Sequence, residues 1–267
     1  EDSDIRMSIL ESTVSITCGK GRYRLQCLSA DDFPNVEKLV DPVTWAVPES
    51  TMARILGNVA SAMGSDDVRY YLNGALLEIK DKLIRAVSTD GHRLYTSDTD
   101  APAVLGNSQQ IIPRQAVMLL THILGDSVDM VTVSMADSFI EFRMGDTTIR
   151  SRLIDGRYPD YNKVIPKNSP VRVEIDRELF CEVLRRVAIV ADENNRAVRL
   201  SFAKNAVNIS AKNSSSESSE ECVGLDYMED PFELAVNSSY LLDALETLPD
   251  STVELAMRDG ISPVVIT

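Results

Sequence analysis

Cysteine, histidine and aromatic residues are scarce in this chain. The four cysteines of its 267 residues (Cys18, Cys27, Cys181 and Cys222) show no CxxC spacing, and there are only two histidines. A zinc site or a disulfide framework therefore has little support, and the cysteines read as reduced core or strand thiols. No apolar run approaches about 18 residues and no charged-then-apolar leader opens the chain, which argues against a membrane span and a secretory signal and leaves the cytoplasm as the default compartment. Basic residues are in the minority, with 27 Lys plus Arg against 41 Asp plus Glu and a net charge of −14. A surface that is basic all over is excluded, so any nucleic-acid face must be local. Enzymatic signatures are also missing: the sequence has no GxSxG, GxxxxGK[ST] or HExxH and no Gly-rich strand-to-helix turn. The chain starts at Glu1 without a methionine, inside a strand-like segment, and reads as a processed product or a fragment.

What is present is a globular composition, 44% hydrophobic and 25% charged, and an internal repeat. In residues 49–63, Met52, Ile55, Leu56, Val59, Ala60 and Met63 form one stripe of an amphipathic helix. Phe180, Val183, Leu184, Val187, Ala188 and Ala191 repeat that spacing in a helix over 177–190. Each helix is expected to lead into a strand, VRYYLN from Val68 and VRLSF from Val198. A second pair of helices, 113–124 and 237–247, matches Val117, Leu120, Thr121 and Leu124 with Leu241, Ala244, Leu245 and Leu248. The repeating unit is about 125 residues.

A partial third copy appears when residues 5–35 are aligned with 131–160, placing Phe33-Pro34 opposite Tyr158-Pro159. The expected boundaries are a remnant at 1–43, a complete domain at 44–170 and a domain lacking its last strand at 171–267. Ile5, Met7 and Ile9, then Val14, Ile16 and Cys18, alternate with the period of half-buried strands. The fold class is α+β, with two helices per unit packed on antiparallel sheet and no βαβ winding. KNSSSESSEE at 212–221 reads as a solvated hairpin tip or edge.

Catalytic material is limited to STDGHRLY, where Asp90 and His92 are close in sequence. Gly91 between them marks a turn, in which His92 and Arg93 make local hydrogen bonds. A metal-independent hydrolase using Asp90 and His92 is the competing reading. His122 ends a helix and is expected to act there as a C-terminal cap partner.

STDGHRLY (88–95), VRYYLNG (68–74) and GRYPDYNKVIP (156–166), in this order within the repeat, resemble the bacterial sliding-clamp family, the beta subunits of DNA polymerase III. DDFPN at 31–35 and NSSYLLDAL at 237–245 extend the resemblance over the whole chain. It implies a DNA-clamp fold of three such domains per subunit and a non-enzymatic processivity factor without cofactor or metal. Two subunits would close head to tail around duplex DNA.

The resemblance further implies an apolar cleft for short peptides of the replicative polymerase, the clamp loader and repair proteins. Its positions are Leu72, Thr89, Gly91, His92, Arg93, Leu94, Pro159, Lys163 (an arginine in much of the family), Val164, Ile261 and Pro263. The family's C-terminal residues, one wall of that cleft, are missing here. Arg54, Arg69, Tyr70, Tyr71, Arg114, Asn195, Arg196 and Tyr240 are implied to face DNA, with Asp192 and Glu193 nearby as an unexplained departure. Lys20, Arg22, Tyr23, Arg24 and Leu25 on one strand, opposite Ile189, Val190, Glu217, Glu220 and Glu221, are implied to close the ring.

Overall fold

The computed structural model describes residues 4–33 and 38–267. Pro34 and Asn35 of DDFPN lie outside the described residues. The chain forms two compact units, Glu1–Val40 and Asp41–Thr267.

In the first unit β1 (Ile5–Leu10), β2 (Thr13–Cys18) and β3 (Gly21–Gln26) make an antiparallel sheet in that order. Met7 pairs with Ile16 and Ile16 with Tyr23, so the alternating apolar residues share one face and Arg22 and Arg24 take the other. Lys20, expected on the same strand as Arg22 and Arg24, is not part of it. It lies in the tight turn after Gly19, whose φ of 54° is the left-handed conformation that glycine adopts without strain.

The second unit opens with β4 (Val43–Pro48) and α1 (Glu49–Ala60), followed by β5 (Gly74–Lys80), β6 (Leu83–Thr89), β7 (Leu94–Asp100) and β8 (Asn107–Pro113). Next come α2 (Arg114–Ile123), β9 (Met130–Met135), β10 (Phe139–Met144) and β11 (Thr147–Arg152). The same order then recurs: β12 (Val171–Asp176), α3 (Arg177–Val187), β13 (Ala197–Ala203), β14 (Ala206–Lys212), β15 (Ser218–Gly224), β16 (Phe232–Asn237), α4 (Ser238–Thr247), β17 (Thr252–Met257) and β18 (Val265–Ile266). The first copy has sheets β7-β6-β5-β8 and β11-β10-β9-β4, and the second has β15-β14-β13-β16 and β12-β17-β18.

Each pair of helices closes a core between its two sheets. Met52, Ile55, Leu56 and Val59 of α1 are wholly buried, with Leu77, Ile79, Val133 and Phe142 in the same cluster. Phe180, Val183, Leu184 and Val187 of α3 do the same against Phe202, Ile209 and Leu255. Full burial of such a side chain contributes about 1.5–3 kcal/mol, so four on one stripe hold a helix whose propensity alone would not. Helix α1 stops at Ala60, short of 63, and α3 gives way at Ala188–Val190 to a 3-10 turn.

The strand expected from Val68 is absent. Tyr70–Leu72 form a 3-10 turn, and the Asn73 amide closes the segment by accepting from the Asp67 N–H and donating to its carbonyl, both at 2.9 Å. Such side-chain bonds to backbone compete with a sheet ladder. The strand starts one segment later at Gly74, where a Cβ would lie 2.3 Å from the Ile112 carbonyl oxygen. The counterpart of β13 is thus β5, since each pairs with the hairpin strand that follows it and with the strand leading into the second helix. The expected hairpin tip is present, with residues 213–217 joining β14 to the edge strand β15.

Asp176 caps α3 by accepting from the Leu179 N–H at 2.9 Å. Asn237 caps α4 by accepting from the N–H groups of Ser239 and Tyr240, and its amide donates to the Asn195 carbonyl. Asn237→Ala is expected to cost about 1–2 kcal/mol, measured as a lower urea midpoint with unchanged slope. Asn237→Asp, which keeps the acceptor, should recover most of that loss. Equal losses in both variants would exclude the cap as the cause.

Candidate functional site

The turn between β6 and β7 is built by its own side chains. Thr89 Oγ1 donates to the Arg93 carbonyl (2.6 Å) and accepts from the Gly91 N–H (3.1 Å). Asp90 Oδ1 accepts from the N–H groups of His92 (2.9 Å) and Arg93 (3.1 Å), and Oδ2 takes the Arg93 Nε–H at 3.2 Å. Gly91 has φ 91°, and the Arg69 guanidinium lies 3.0 Å from where its Cβ would be, so a side chain there is both strained and obstructed. The Asp90 carboxylate is therefore occupied in shaping a turn. His92 stacks on Tyr240 (centroids 5.9 Å apart, planes 22°), which leaves no Asp–His pair to act as base and orienter.

Arg93 joins the two repeats. Its Nη2 donates to the Ser61 carbonyl at 2.6 Å, its Nη1 pairs with Asp243 of α4, and its guanidinium lies 4.7 Å from the centre of the Tyr240 ring. Under this turn lies an apolar cluster on the face of β5 and β6 turned away from the helices: Leu72, Leu76, Val87, Ile111, Tyr158 and Tyr161, with Leu94 and Ile165 at its margin. Burial pushes the Tyr158 hydroxyl above the usual phenol range. Tyr161 is raised for the same reason, and its hydroxyl donates to Glu78 at 2.5 Å.

A groove of about 670 Å³ continues from this cluster, because Ile165 belongs to both. Val164, Pro166 and Pro263 give it apolar walls, and Asp160, Lys163, Lys167 and Arg258 supply charge. Of the residues singled out from sequence, Lys163, Val164 and Pro263 line this groove, Leu72 and Leu94 belong to the cluster, and Thr89, Gly91, His92 and Arg93 form the turn and the contact with α4. Pro159 and Ile261 are exposed near its ends, Ile261 almost fully. Lys167, Arg258 and Ser262 were not anticipated. Lys167 follows the GRYPDYNKVIP segment directly, whereas Arg258 carries no local signal.

The arginines considered for DNA are engaged with their own chain. Arg54 donates to Ser97 Oγ and the Asp98 carbonyl, Arg114 to the Met63 carbonyl and Arg196 to Ser239 Oγ, and Arg69 forms a two-bond pair with Asp67. Tyr70 is exposed and packs edge-on against Tyr71 at 5.7 Å, and Tyr240 lies under His92 and Arg93. Asn195 accepts from the Ala197 N–H. Asp192 has a local reason to be there: its carboxylate accepts from the Asn194 N–H and its carbonyl from the Arg196 N–H, closing the turn.

Among the residues considered for ring closure, Tyr23, Leu25 and Ile189 are exposed, and Val190 packs on the second core. Glu221 pairs with Arg186 at 2.8 Å, Glu220 accepts from Asn208 and Glu217 from Asn213.

Several carboxylates are held below their ordinary range. Arg69 brings Asp67 to about 2, and Ser262, the Ile261 N–H and Arg258 bring Asp259 to about 2. Arg150 lowers Glu141, and Arg186 lowers Glu221. A folded-state value below the unfolded one, about 4, gives stability that is present above that value and lost as pH falls through the folded value. The urea midpoint is therefore expected to fall between about pH 4 and pH 2, and Glu141→Gln should show a smaller fall. An unchanged pH profile in Glu141→Gln would remove Glu141 from the account.

Repeated units of two helices between antiparallel sheets, joined by a groove with apolar and charged walls, are the architecture of the processivity-clamp class of protein. Residues 46–160 match the central domain of the DNA polymerase III beta subunit, and residues 162–267 match its C-terminal domain. The chain is 36% identical to the beta sliding clamp of Pseudomonas putida over 266 residues, 99% of this chain and 72% of that protein. With the beta sliding clamp of Escherichia coli K12 it shares 34% identity, covering 100% and 73% of the two chains. A crystal structure of the Pseudomonas aeruginosa DNA polymerase sliding clamp superimposes with a TM-score of 0.94 at 32% identity, covering 100% of this chain and 73% of that one. The chain belongs to the DNA polymerase III beta-subunit family, the beta sliding clamps. It is an accessory factor of DNA replication and not an enzyme, which sets aside the hydrolase reading of Asp90 and His92.

Proposed function

We propose that this clamp subunit encircles duplex DNA as part of a head-to-tail dimer and tethers the replicative polymerase, the clamp loader and repair proteins through short peptides that dock in the groove beside Leu94 and Val164. The single observation that carries the docking role is the continuity of the open groove with the cluster around Leu72 and Tyr161, which offers apolar depth at the junction of two repeats. In this reading residues 44–170 and 171–267 are the central and third domains, and 1–43 belongs to the first. Tyr23 and Leu25 meet Ile189 and Val190 of a second subunit, with charge around that apolar centre.

Arg54, Arg69, Arg114 and Arg196 lie on the DNA side. Arg54, Arg114 and Arg196 are bonded at home to uncharged oxygens and so add positive potential to the hole more than fixed contacts, whereas Asp67 offsets the charge of Arg69; a sliding protein needs weak, sequence-independent attraction. The place of action is the cytoplasmic replisome. In calorimetric titration, a pentapeptide with Leu and Phe anchors is expected to bind saturably, in the micromolar range for a cleft that has its C-terminal wall, each anchor contributing about 1.5–3 kcal/mol before ordering costs. Absence of saturable heat would overturn the docking role.

A further inference from the structure

We propose that the groove is selective for acidic peptides: Arg258 and Lys167 read carboxylates that flank the apolar anchors. The inference rests on the docking role proposed above and adds the chemistry of the partner. In a chain of net charge −14, long-range repulsion should work against an acidic peptide. The groove reverses that balance locally, with Lys163, Lys167 and Arg258 on its walls against Asp160, and with Asp259 paired to Arg258 beside it, which still leaves a surplus of one positive charge. Lys163 is partly neutralised by Asp160 at 3.5 Å, whereas Lys167 is exposed and makes no ion pair among the described residues.

Arg258 is pre-organised. Its Nε–H donates to Asp259 Oδ2 at 3.0 Å and its Nη2 to Ser262 Oγ at 2.7 Å. Asp259 in turn accepts from the N–H groups of Ile261 and Ser262 and from the Ser262 hydroxyl, so its lone pairs are used within the turn. The Nη1 hydrogens of Arg258 take no partner in these bonds. A guanidinium fixed on a turn, with donors to spare and its side chain 59% exposed, suits the planar, two-oxygen geometry of a carboxylate and loses little rotamer freedom on binding. The neighbouring apolar walls, Val164 and Pro263, place such a carboxylate beside the anchors.

The test is fluorescence anisotropy with two labelled peptides that share Leu and Phe anchors, one flanked by Asp and the other by Asn. The acidic peptide is expected to bind roughly three- to tenfold more tightly at low salt, an advantage that shrinks at high salt. Arg258→Gln and Lys167→Gln, both at exposed positions, should each shrink the ratio of the two affinities, lowering the acidic peptide's affinity more than the Asn peptide's. Equal affinity of the two peptides for the unaltered protein, or an advantage that survives both substitutions, would overturn the acidic preference and leave the docking role standing. Failure of both peptides to bind would overturn the docking role, and the preference with it.

Discussion

Val164→Asp is expected to weaken capture of a Leu/Phe-anchored peptide by about 100-fold or more while the protein stays folded. The physical reason is twofold: the apolar contact of the groove wall is lost, and a carboxylate must be desolvated against an apolar anchor, an effect of about 3 kcal/mol together. Val164 is 59% exposed at the end of the 3-10 turn Tyr161–Lys163, so the folded core does not depend on it. Leu94 is a poorer site for this test because it packs on the Leu72 cluster, where a charge would disturb both fold and groove. Calorimetric titration of the folded variant decides the matter, with circular dichroism as the control. Unchanged affinity would remove Val164 from the docking surface.

The largest loss of stability is expected from Phe142→Ala. Phe142 is wholly buried on β10 in the core closed by α1 and α2, opposite Val133 of β9. Truncation removes the transfer free energy of the ring and leaves a cavity that a two-sheet core cannot easily collapse, about 3–5 kcal/mol. For a folded unit of this size that lowers the melting midpoint by roughly 10 °C. Phe139, three residues earlier on the same strand, is 38% exposed and packs against Arg152 at 5.8 Å. Phe139→Ala should therefore cost under about 1 kcal/mol. Scanning calorimetry of both variants tests the pair, and similar shifts would mean that the core does not lie where α1, α2, β9 and β10 place it.

The helices were legible because one face of each is buried and the other wet, so the stripes of α1 and α3 stand out at a period of 3.6 residues. The strands of the first unit were legible for the matching reason at a period of two. Strand β5 was misplaced because GALLEIK is buried on both faces: Ala75, Leu77 and Ile79 enter the helix-side core while Leu76 enters the Leu72 cluster, which erases the alternation. VRYYLN matches VRLSF in its first two residues and its place after the helix, yet Asn73 and Asp67 close it into a loop.

By itself the sequence determined the repeat, the α+β class, the turn at Gly91 and the family, since each is written in short-range spacing or in consecutive residues. Only the tertiary structure decided that His92 and Arg93 reach across to Tyr240 and Asp243, that Lys163 and Arg258 share one groove, and that the arginines considered for DNA are bonded to their own chain. These contacts join residues far apart in sequence. They depend on how the two repeats pack against each other, and no local periodicity encodes that packing.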